Sequence, residues 1–260
     1  MPLDRISATR YLNQMSEGGS LPALVKAEDG HVYVVKLRGA AQGLQPLAAE
    51  IIAGEIARIL RLNVPRIALV EITADFSEGE QDHEIHRLLS WSTGTNVGLE
   101  FVSGATMFDP AAEETMQAEM ASQIVWLDMF VLNVDRTVKN PNLLQANGQF
   151  WLIDHGAALY FHYKWENLEQ NIGDQLPGLE NHVLLPFASD LTAADAAAHD
   201  LLSPQIFEQV VSLVPDDLFR QGDGFPSIQE QRSLYVTYLA GRLQRSVNFN
   251  QAVRLAQNTL

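Results

Sequence analysis

Cysteine is absent from all 260 residues of the chain. Disulfide bonds, cysteine-ligated zinc, iron–sulfur clusters and a thiol nucleophile are therefore excluded. Cations are also scarce, since 17 Lys and Arg stand against 32 Asp and Glu, for a formal net charge of -15. A general nucleic-acid-binding surface needs a surplus of cations, so this composition argues against one.

Long apolar runs are missing as well. The longest, from Ile124 to Val134, is interrupted by Asp128 and Asn133 and is too short to cross a bilayer. The first twenty residues lack the apolar core of a signal peptide. We therefore expect a soluble protein of the cytoplasm that does not associate with membranes.

Secondary-structure patterns divide the chain into a strand-rich first part and a helical second part. Alternation predicts a strand over 31–38, with Tyr33 and Val35 on one face and Lys36 on the other. A helix is predicted over 47–62 and further strands over 67–72 and 97–102, while 187–260 is mainly helical. We predict an α+β fold with a β-rich lobe at 1–104, a helical lobe at 105–260 and a cleft near their junction.

A long buried helix is predicted over 109–132. Asp109 is a suitable N-cap, Pro110 suits the first helical position, and the second half of the segment is nearly all apolar. Polar residues that follow the end of a buried helix are poorly hydrated, so the polar loop after residue 132 requires a functional or structural reason.

A β-hairpin follows this loop, because Asn147-Gly148 is a strong signal for a two-residue turn between strands at 143–146 and 149–153. The turn sets a register in which Asn140 and Asp154 are diagonal neighbours at the open end, within about 5–8 Å. Asp135 lies in the loop that enters the same end. Oxygen ligands of this kind suit Mg²⁺ or Mn²⁺, so the open end of the hairpin predicts a hard-metal site.

The catalytic segment of the HipA-like kinases, a group with the protein-kinase-like fold, resembles Asn133-Val-Asp135-Arg-Thr-Val-Lys139-Asn140 followed by a hairpin and Asp154-His155-Gly156. Asp135-Arg136 is also similar to the start of the Asp-Arg-His segment of phosphoinositide kinases. The resemblance covers roughly residues 15–165. It implies a two-lobed kinase-like fold, a bacterial regulatory setting, and transfer of the γ-phosphoryl group of ATP, with Mg²⁺ or alternatively Mn²⁺, to an unidentified hydroxyl acceptor, a Ser or Thr of a protein.

The resemblance implies a role for each matching residue. Asp135 would orient the acceptor hydroxyl and take its proton. Asn140 and Asp154 would hold the metal against the nucleotide phosphates. Lys36 would contact the α- and β-phosphates and pair with a carboxylate on the next helix, for which Glu50 is the first choice and Glu55 the alternative.

Two further segments would complete a nucleotide site. A short turn would cradle phosphates through backbone N–H groups, and it consists of Gly18, Gly19 and Ser20. A hinge strand would present its backbone to adenine, and it includes Glu100, Phe101 and Val102. His155 stands where the Asp-Phe-Gly motif of protein kinases has Phe, so the aromatic packing switch of those enzymes is not expected here.

Alternatives to an active kinase stay open at this point. A regulatory pseudokinase would bind the nucleotide without turnover, and a metal-dependent phosphohydrolase would release phosphate without an acceptor. The acidic composition also allows a protein partner.

The spacing His83-Glu-Ile-His86 is metal-like, but its polar surroundings predict a solvated helix face. Tyr160-Phe-His-Tyr163 is consistent with either a substrate segment or a packing strip.

Overall fold

The computed structural model describes residues 2–14, 22–40, 42–112, 116–222 and 226–259. Strands dominate the N-terminal part of the chain and helices the C-terminal part, as the patterns predicted. None of the helices in the described ranges combines the length and apolar character needed to span a bilayer.

Five strands of the N-terminal part form a closed barrel in the order β1-β2-β3-β5-β4. They are β1 Asp4–Gln14, β2 Ala23–Ala27, β3 Val32–Lys36, β4 Ile67–Ile72 and β5 Gly94–Glu100. Neighbours are antiparallel except β1 and β4, which run parallel and close the barrel. The predicted alternation in β3 is confirmed, since Tyr33 and Val35 are fully buried in a core within this part while Lys36 faces a cleft.

Helix α1, Gln45–Ile59, is buried on nearly all sides. The helix prediction is confirmed, although α1 begins and ends slightly earlier than its apolar pattern suggested. That pattern predicted a single apolar face, whereas the barrel strand β5 covers one side and residues 204–212 and 216–218 cover another. Glu50 is consequently fully buried. Helix α2, His83–Trp91, follows and keeps His83 and His86 exposed, which confirms the solvated helix face.

The predicted hairpin is also confirmed. Strands β7 Leu143–Ala146 and β8 Gln149–Leu152 pair Leu143 with Leu152, in the register that a two-residue turn requires. Asn147 and Gly148 both take positive φ, at 51° and 70°, as that turn demands. The short strand β6, Thr106–Met107, pairs with β7 and completes a small sheet in the order β6-β7-β8.

The prediction of a helix beginning at Asp109 is wrong, because helix α3 spans only Ala118–Val131. The Asp109 carboxylate instead accepts a hydrogen bond from the backbone N–H of Ala111, closing a local turn. Asp side chains stabilise such turns in competition with helix. The buried character of the second half is confirmed, since residues 124–131 are all buried.

In the described residues after the hairpin, five further α-helices pack around the main hydrophobic core, and the helical character predicted for 187–260 is confirmed. They are α4 Leu168–Gly173, α5 Thr192–Leu201, α6 Pro204–Ser212, α7 Ile228–Arg245 and α8 Phe249–Gln257. Helix α3 lies among them and ends at Leu132, which adopts a left-handed conformation with φ 52°. The chain therefore leaves the core abruptly at residue 132 and enters the polar loop that carries Asp135.

Candidate active site

A cleft of about 290 Å³ separates the barrel from the hairpin. The barrel side contributes Val34, Lys36, Leu99, Glu100, Phe101 and Val102, and the hairpin side contributes Asn140, Asn142, Leu144, Ile153 and Asp154. The fold thus brings Lys36 of the barrel and Asp154, more than a hundred residues later in the chain, to one cavity. An apolar cleft with a few converging polar groups has the character of a small-molecule site.

Lys36 lies at the inner end of this cleft between two carboxylates. Its Nζ atom is 2.5 Å from Oε2 of Glu50 and also donates to Asp154. Burial alone would lower the pKa of the Lys36 ammonium, but the charges of Glu50 and Asp154 outweigh burial and hold that pKa above its usual value. The ammonium therefore stays charged, which is the state a phosphate-binding group requires.

Glu50, and not Glu55, is the partner of Lys36. The Glu55 carboxylate pairs instead with Arg58 of the same helix at 3.3 Å. Burial would raise the pKa of Glu50, but Lys36 and then His155 hold it well below its usual range. The buried Glu50 is accordingly an ionised acceptor, fixed by two partners.

The segment 154–156 packs tightly against this pair. Asp154 has a positive φ of 55°. A Cβ atom on Gly156 would lie 2.7 Å from Nζ of Lys36 and 3.3 Å from Cβ of Pro46, so the position has no room for a side chain. The His155 side chain is fully buried and turns towards α1, where its Nδ1 atom lies 3.2 Å from Oε1 of Glu50.

Asp135 is held by asparagines in the loop after α3. Asn140 donates from Nδ2 to Oδ2 of Asp135 at 2.9 Å, and Asn142 donates to the same oxygen at 3.3 Å. The backbone N–H of Asp135 donates to Oδ1 of Asn133 at 3.4 Å. Asp135 and Asn140, which the sequence placed at the same end of the hairpin, are therefore in direct contact. Asn142 is a residue of the cleft that the motif did not indicate.

A buried network of ionic and hydrogen-bonded contacts joins this loop to helix α3. Asp128, on α3, accepts from Arg136 Nε at 2.5 Å, from His182 Nε2 at 3.0 Å and from Asn133 Nδ2 at 2.9 Å. Burial would raise the pKa of Asp128, but Arg136 and His182 hold it well below its usual range. Three donors on one buried carboxylate fix the loop that presents Asp135.

The polar donors of the cleft suit a hard cation. Asn140 and Asp154 offer amide and carboxylate oxygens on the two sides of the hairpin opening. Across the described ranges, no three His, Asp or Glu side chains converge in a geometry that would hold a metal ion. A metal at this site would thus depend on few protein ligands, as Mg²⁺ does beside phosphate groups.

The two remaining nucleotide-site predictions have different outcomes. Gly18, Gly19 and Ser20 lie outside the described residues. Glu100, Phe101 and Val102 do line the cleft. The backbone N–H groups of Glu100 and Phe101 are bonded to carbonyls of Arg66 and Val32, so these two donors serve the barrel.

The aromatic strip of residues 160–163, which follows the hairpin, has two sides. Phe161 stacks on Tyr238 with ring centres 3.8 Å apart, and the buried His162 lies 2.9 Å from the Tyr235 hydroxyl. Tyr160 and Tyr163 are 54% and 44% exposed. The strip is thus anchored by packing on one side and presents two tyrosines to solvent on the other.

Comparisons with known proteins concern the family and the fold of the chain. A family model described as "HipA-like kinase" matches residues 8–218. The structure is similar to the crystal structure of the Helicobacter pylori proinflammatory kinase CtkA, with a TM-score of 0.57 and 11% sequence identity, over 99% of this chain and 98% of that one. At this identity the similarity concerns the fold. No curated protein sequence matches the chain.

Proposed function

The chain belongs to the HipA-like kinase family, and from that premise we propose that it transfers the γ-phosphoryl group of ATP, with Mg²⁺, to the hydroxyl of a Ser or Thr in a protein. The observation that carries this proposal is one arrangement of three groups. Lys36 and Asp154 line the cleft in direct contact, and Asp135 is hydrogen-bonded to Asn140, which lines the same cleft. We also propose that residues 1–104 and 105–260 act as the two lobes that enclose the nucleotide.

The nucleotide would enter the cleft between β5 and the hairpin. Val34, Leu99 and Leu144 supply apolar walls that suit a base, and Val102 lies where the chain leaves the barrel. Lys36 supplies a fixed positive charge for the phosphates at the inner end of the cleft. Because Glu50 already holds the ammonium in place, little reorganisation would be needed when phosphate binds.

Asn140 and Asp154 would hold a magnesium ion through their side-chain oxygens. When bound, that ion would neutralise charge on the phosphate oxygens. The Asp154 carboxylate also forms an ion pair with Lys36, so the magnesium ion and the Lys36 ammonium would share this carboxylate. The remaining ligands of such a site come from water and the nucleotide.

Asp135 would accept the proton of the acceptor hydroxyl. Its carboxylate is partly exposed and is oriented by the amides of Asn140 and Asn142. Orientation and charge neutralisation supply most of the rate acceleration in phosphoryl transfer. The exposed Tyr160 and Tyr163, on the segment that follows Asp154, would lie on the side from which a protein acceptor approaches.

Thermal unfolding with ATP, Mg²⁺, both and neither tests the nucleotide–metal site. A ligand at one hundred times its Kd raises the stability of the folded state by about 2.7 kcal/mol, which raises Tm by several degrees. We expect the full shift only with both ligands, and we expect Asp154→Ala to remove it. The exposed Asp75 provides the control, since Asp75→Ala should keep the shift.

Turnover separates the kinase from its alternatives. Labelled phosphate transferred from ATP to a protein acceptor supports the proposal, whereas phosphate released only to water at an enzymatic rate indicates a phosphohydrolase. Binding with neither transfer nor release indicates a pseudokinase. Asp154→Ala should abolish Mg²⁺-dependent turnover while the protein remains folded, and unchanged turnover would overturn the assignment.

A further inference from the structure

Asn142 lies where the loop that carries Asp135 meets the hairpin of β7 and β8. It precedes β7 directly, is only 3% exposed and has a positive φ of 46°. Asparagine tolerates this left-handed conformation better than most residues, and glycine tolerates it fully. A buried polar side chain in an unusual backbone conformation calls for a specific set of partners.

The side chain of Asn142 faces Asp135. Its Nδ2 atom donates to the backbone carbonyl of Asp135 at 3.2 Å and to Oδ2 of the carboxylate at 3.3 Å. Asn140 donates to the same carboxylate oxygen at 2.9 Å. Two amide donors on one oxygen restrict the rotation of the carboxylate, and the bond to the carbonyl also fixes its backbone.

The backbone carbonyl of Asn142 is bonded to the strand that leads to Asp154. Its carbonyl oxygen accepts from the N–H of Ile153 at 3.1 Å, and Ile153 immediately precedes Asp154. The same oxygen accepts from Nη1 of Arg136, whose guanidinium is fixed by Asp128. One residue therefore joins the loop of Asp135 to the strand that delivers Asp154.

We propose that Asn142 is a positioning residue, which sets the Asp135 carboxylate relative to Asp154 and thereby the acceptor hydroxyl relative to the phosphoryl group. This inference rests on the proposed phosphotransferase function. Asn142 acts through Asp135, so its loss should slow the chemical step and leave nucleotide binding intact. A misplacement of about 1 Å at a reacting group costs up to about a hundredfold in rate.

The variant Asn142→Gly isolates this role. Glycine accepts the positive φ and keeps the carbonyl that binds Ile153 and Arg136, so only the side-chain donors are lost. Asn142→Asp keeps the size and the tolerance for this conformation but places an acceptor against the Asp135 carboxylate. Asn147→Gly is the matched control, because Asn147 has a φ of 51° and lies exposed at the opposite end of the same hairpin.

Turnover of ATP with Mg²⁺ is measured by two readouts, transfer of labelled phosphate to dephosphorylated casein and release of phosphate to water. ATP affinity is measured by thermal shift. We expect Asn142→Gly to lower kcat about ten- to a hundredfold while KM and affinity for ATP stay unchanged. Asn142→Asp should lower kcat at least as far, and Asn147→Gly should match the wild-type protein.

Each alternative outcome has a separate meaning. A wild-type protein that turns over no ATP in either readout overturns the proposed function, and this inference with it. An active wild-type protein with an equally active Asn142→Gly variant overturns the inference alone. A loss of ATP affinity that accounts for the loss of rate also overturns it, because Asn142 would then act by contacting the nucleotide and not through Asp135. Should Asn142→Gly fail to fold, the isosteric Asn142→Asp variant decides between the same outcomes.

Discussion

The Nδ1 atom of His155 lies 3.2 Å from Oε1 of Glu50, and both side chains are fully buried. An ionised carboxylate can only accept, so Nδ1 carries the proton and donates. The other oxygen of Glu50 accepts from Lys36, which also binds Asp154. Since Asp154 and His155 are consecutive, these contacts form a closed ring that ties helix α1 to the end of the hairpin by polar bonds. The ring includes the position at which the Asp-Phe-Gly motif of protein kinases has an aromatic residue.

The two candidate glutamates of α1 should differ sharply on substitution. Glu50→Gln removes the charge that compensates the buried Lys36, so we expect a stability loss of about 3 kcal/mol and a fall in kcat/KM for ATP. Glu55→Gln is the control, since Glu55 pairs with the partly exposed Arg58 and should change stability by about 1 kcal/mol or less. Denaturant unfolding and ATP kinetics measure both effects. Equal losses in the two variants would contradict the assigned pairing.

Substitution of Asp135 should affect chemistry more than binding. Asp135→Asn keeps the shape of the side chain but removes the proton acceptor, so we expect turnover to fall about 10²- to 10⁴-fold. Affinity for ATP with Mg²⁺, measured by thermal shift, should stay near the wild-type value. A loss of affinity in proportion to the loss of turnover would show that Asp135 binds the nucleotide and does not activate the acceptor hydroxyl.

The buried Asp128 should make stability depend on pH. Its pKa in the folded protein is held below the ordinary value of 3.8 by Arg136 and His182, the two charged or titratable groups that face it. A depressed pKa contributes stability that is complete above the ordinary value and is lost as the pH falls through the folded one. The stability advantage of the wild-type protein over Asp128→Asn should therefore be largest near neutral pH and shrink below about pH 4.

Urea unfolding of both proteins between neutral and acid pH measures that difference. Near neutral pH we expect Asp128→Asn to cost about 3–5 kcal/mol, because the Arg136 guanidinium loses its buried counter-charge. A difference that stays constant down to the lowest pH would show that the charge of Asp128 contributes nothing specific to stability.

Gly156 offers a test of the space around Lys36. The Cβ atom of Gly156→Ala would displace the Lys36 ammonium, so we expect kcat/KM for ATP to fall about tenfold or more. Gly173→Ala is the control, because its Cβ would meet Nη1 of Arg245 at 2.6 Å, but that partly exposed guanidinium pairs with the exposed Glu169 and can shift together with it. ATP kinetics on folded protein checks both variants, and equal activity would contradict the steric argument.

Local patterns correctly predicted the local structure that places several of the cleft residues. The register of the hairpin depends on two turn residues, and the face of Lys36 depends on strand alternation, so both can be derived from a few neighbouring positions. The start of α3 was wrong because Asp109 and Pro110 suit a turn as well as a helix N-terminus. The sequence names two candidate partners for Lys36, but the choice between Glu50 and Glu55 depends on how α1 rotates against the barrel.

Non-local features could not be derived in this way. Asn142 lies in a loop with other asparagines, and nothing in its spacing marks it as the residue that joins Asp135 to Ile153. The carboxylate of Asp128 is distinguished only by partners from the loop and from residue 182. The parallel pairing of β1 with β4 links segments more than fifty residues apart, and no local pattern specifies it.

That parallel pairing has a consequence for how the protein behaves in solution. Every strand of the barrel has two bonded neighbours, so among the described residues this sheet has no strand that is unpaired on one side along its whole length. The first half of β1, residues 4–7, pairs with β4, and the second half, residues 8–14, pairs with β2. Removal of this single strand would expose one edge of β2 and one edge of β4, and each edge is a template for intermolecular strand pairing.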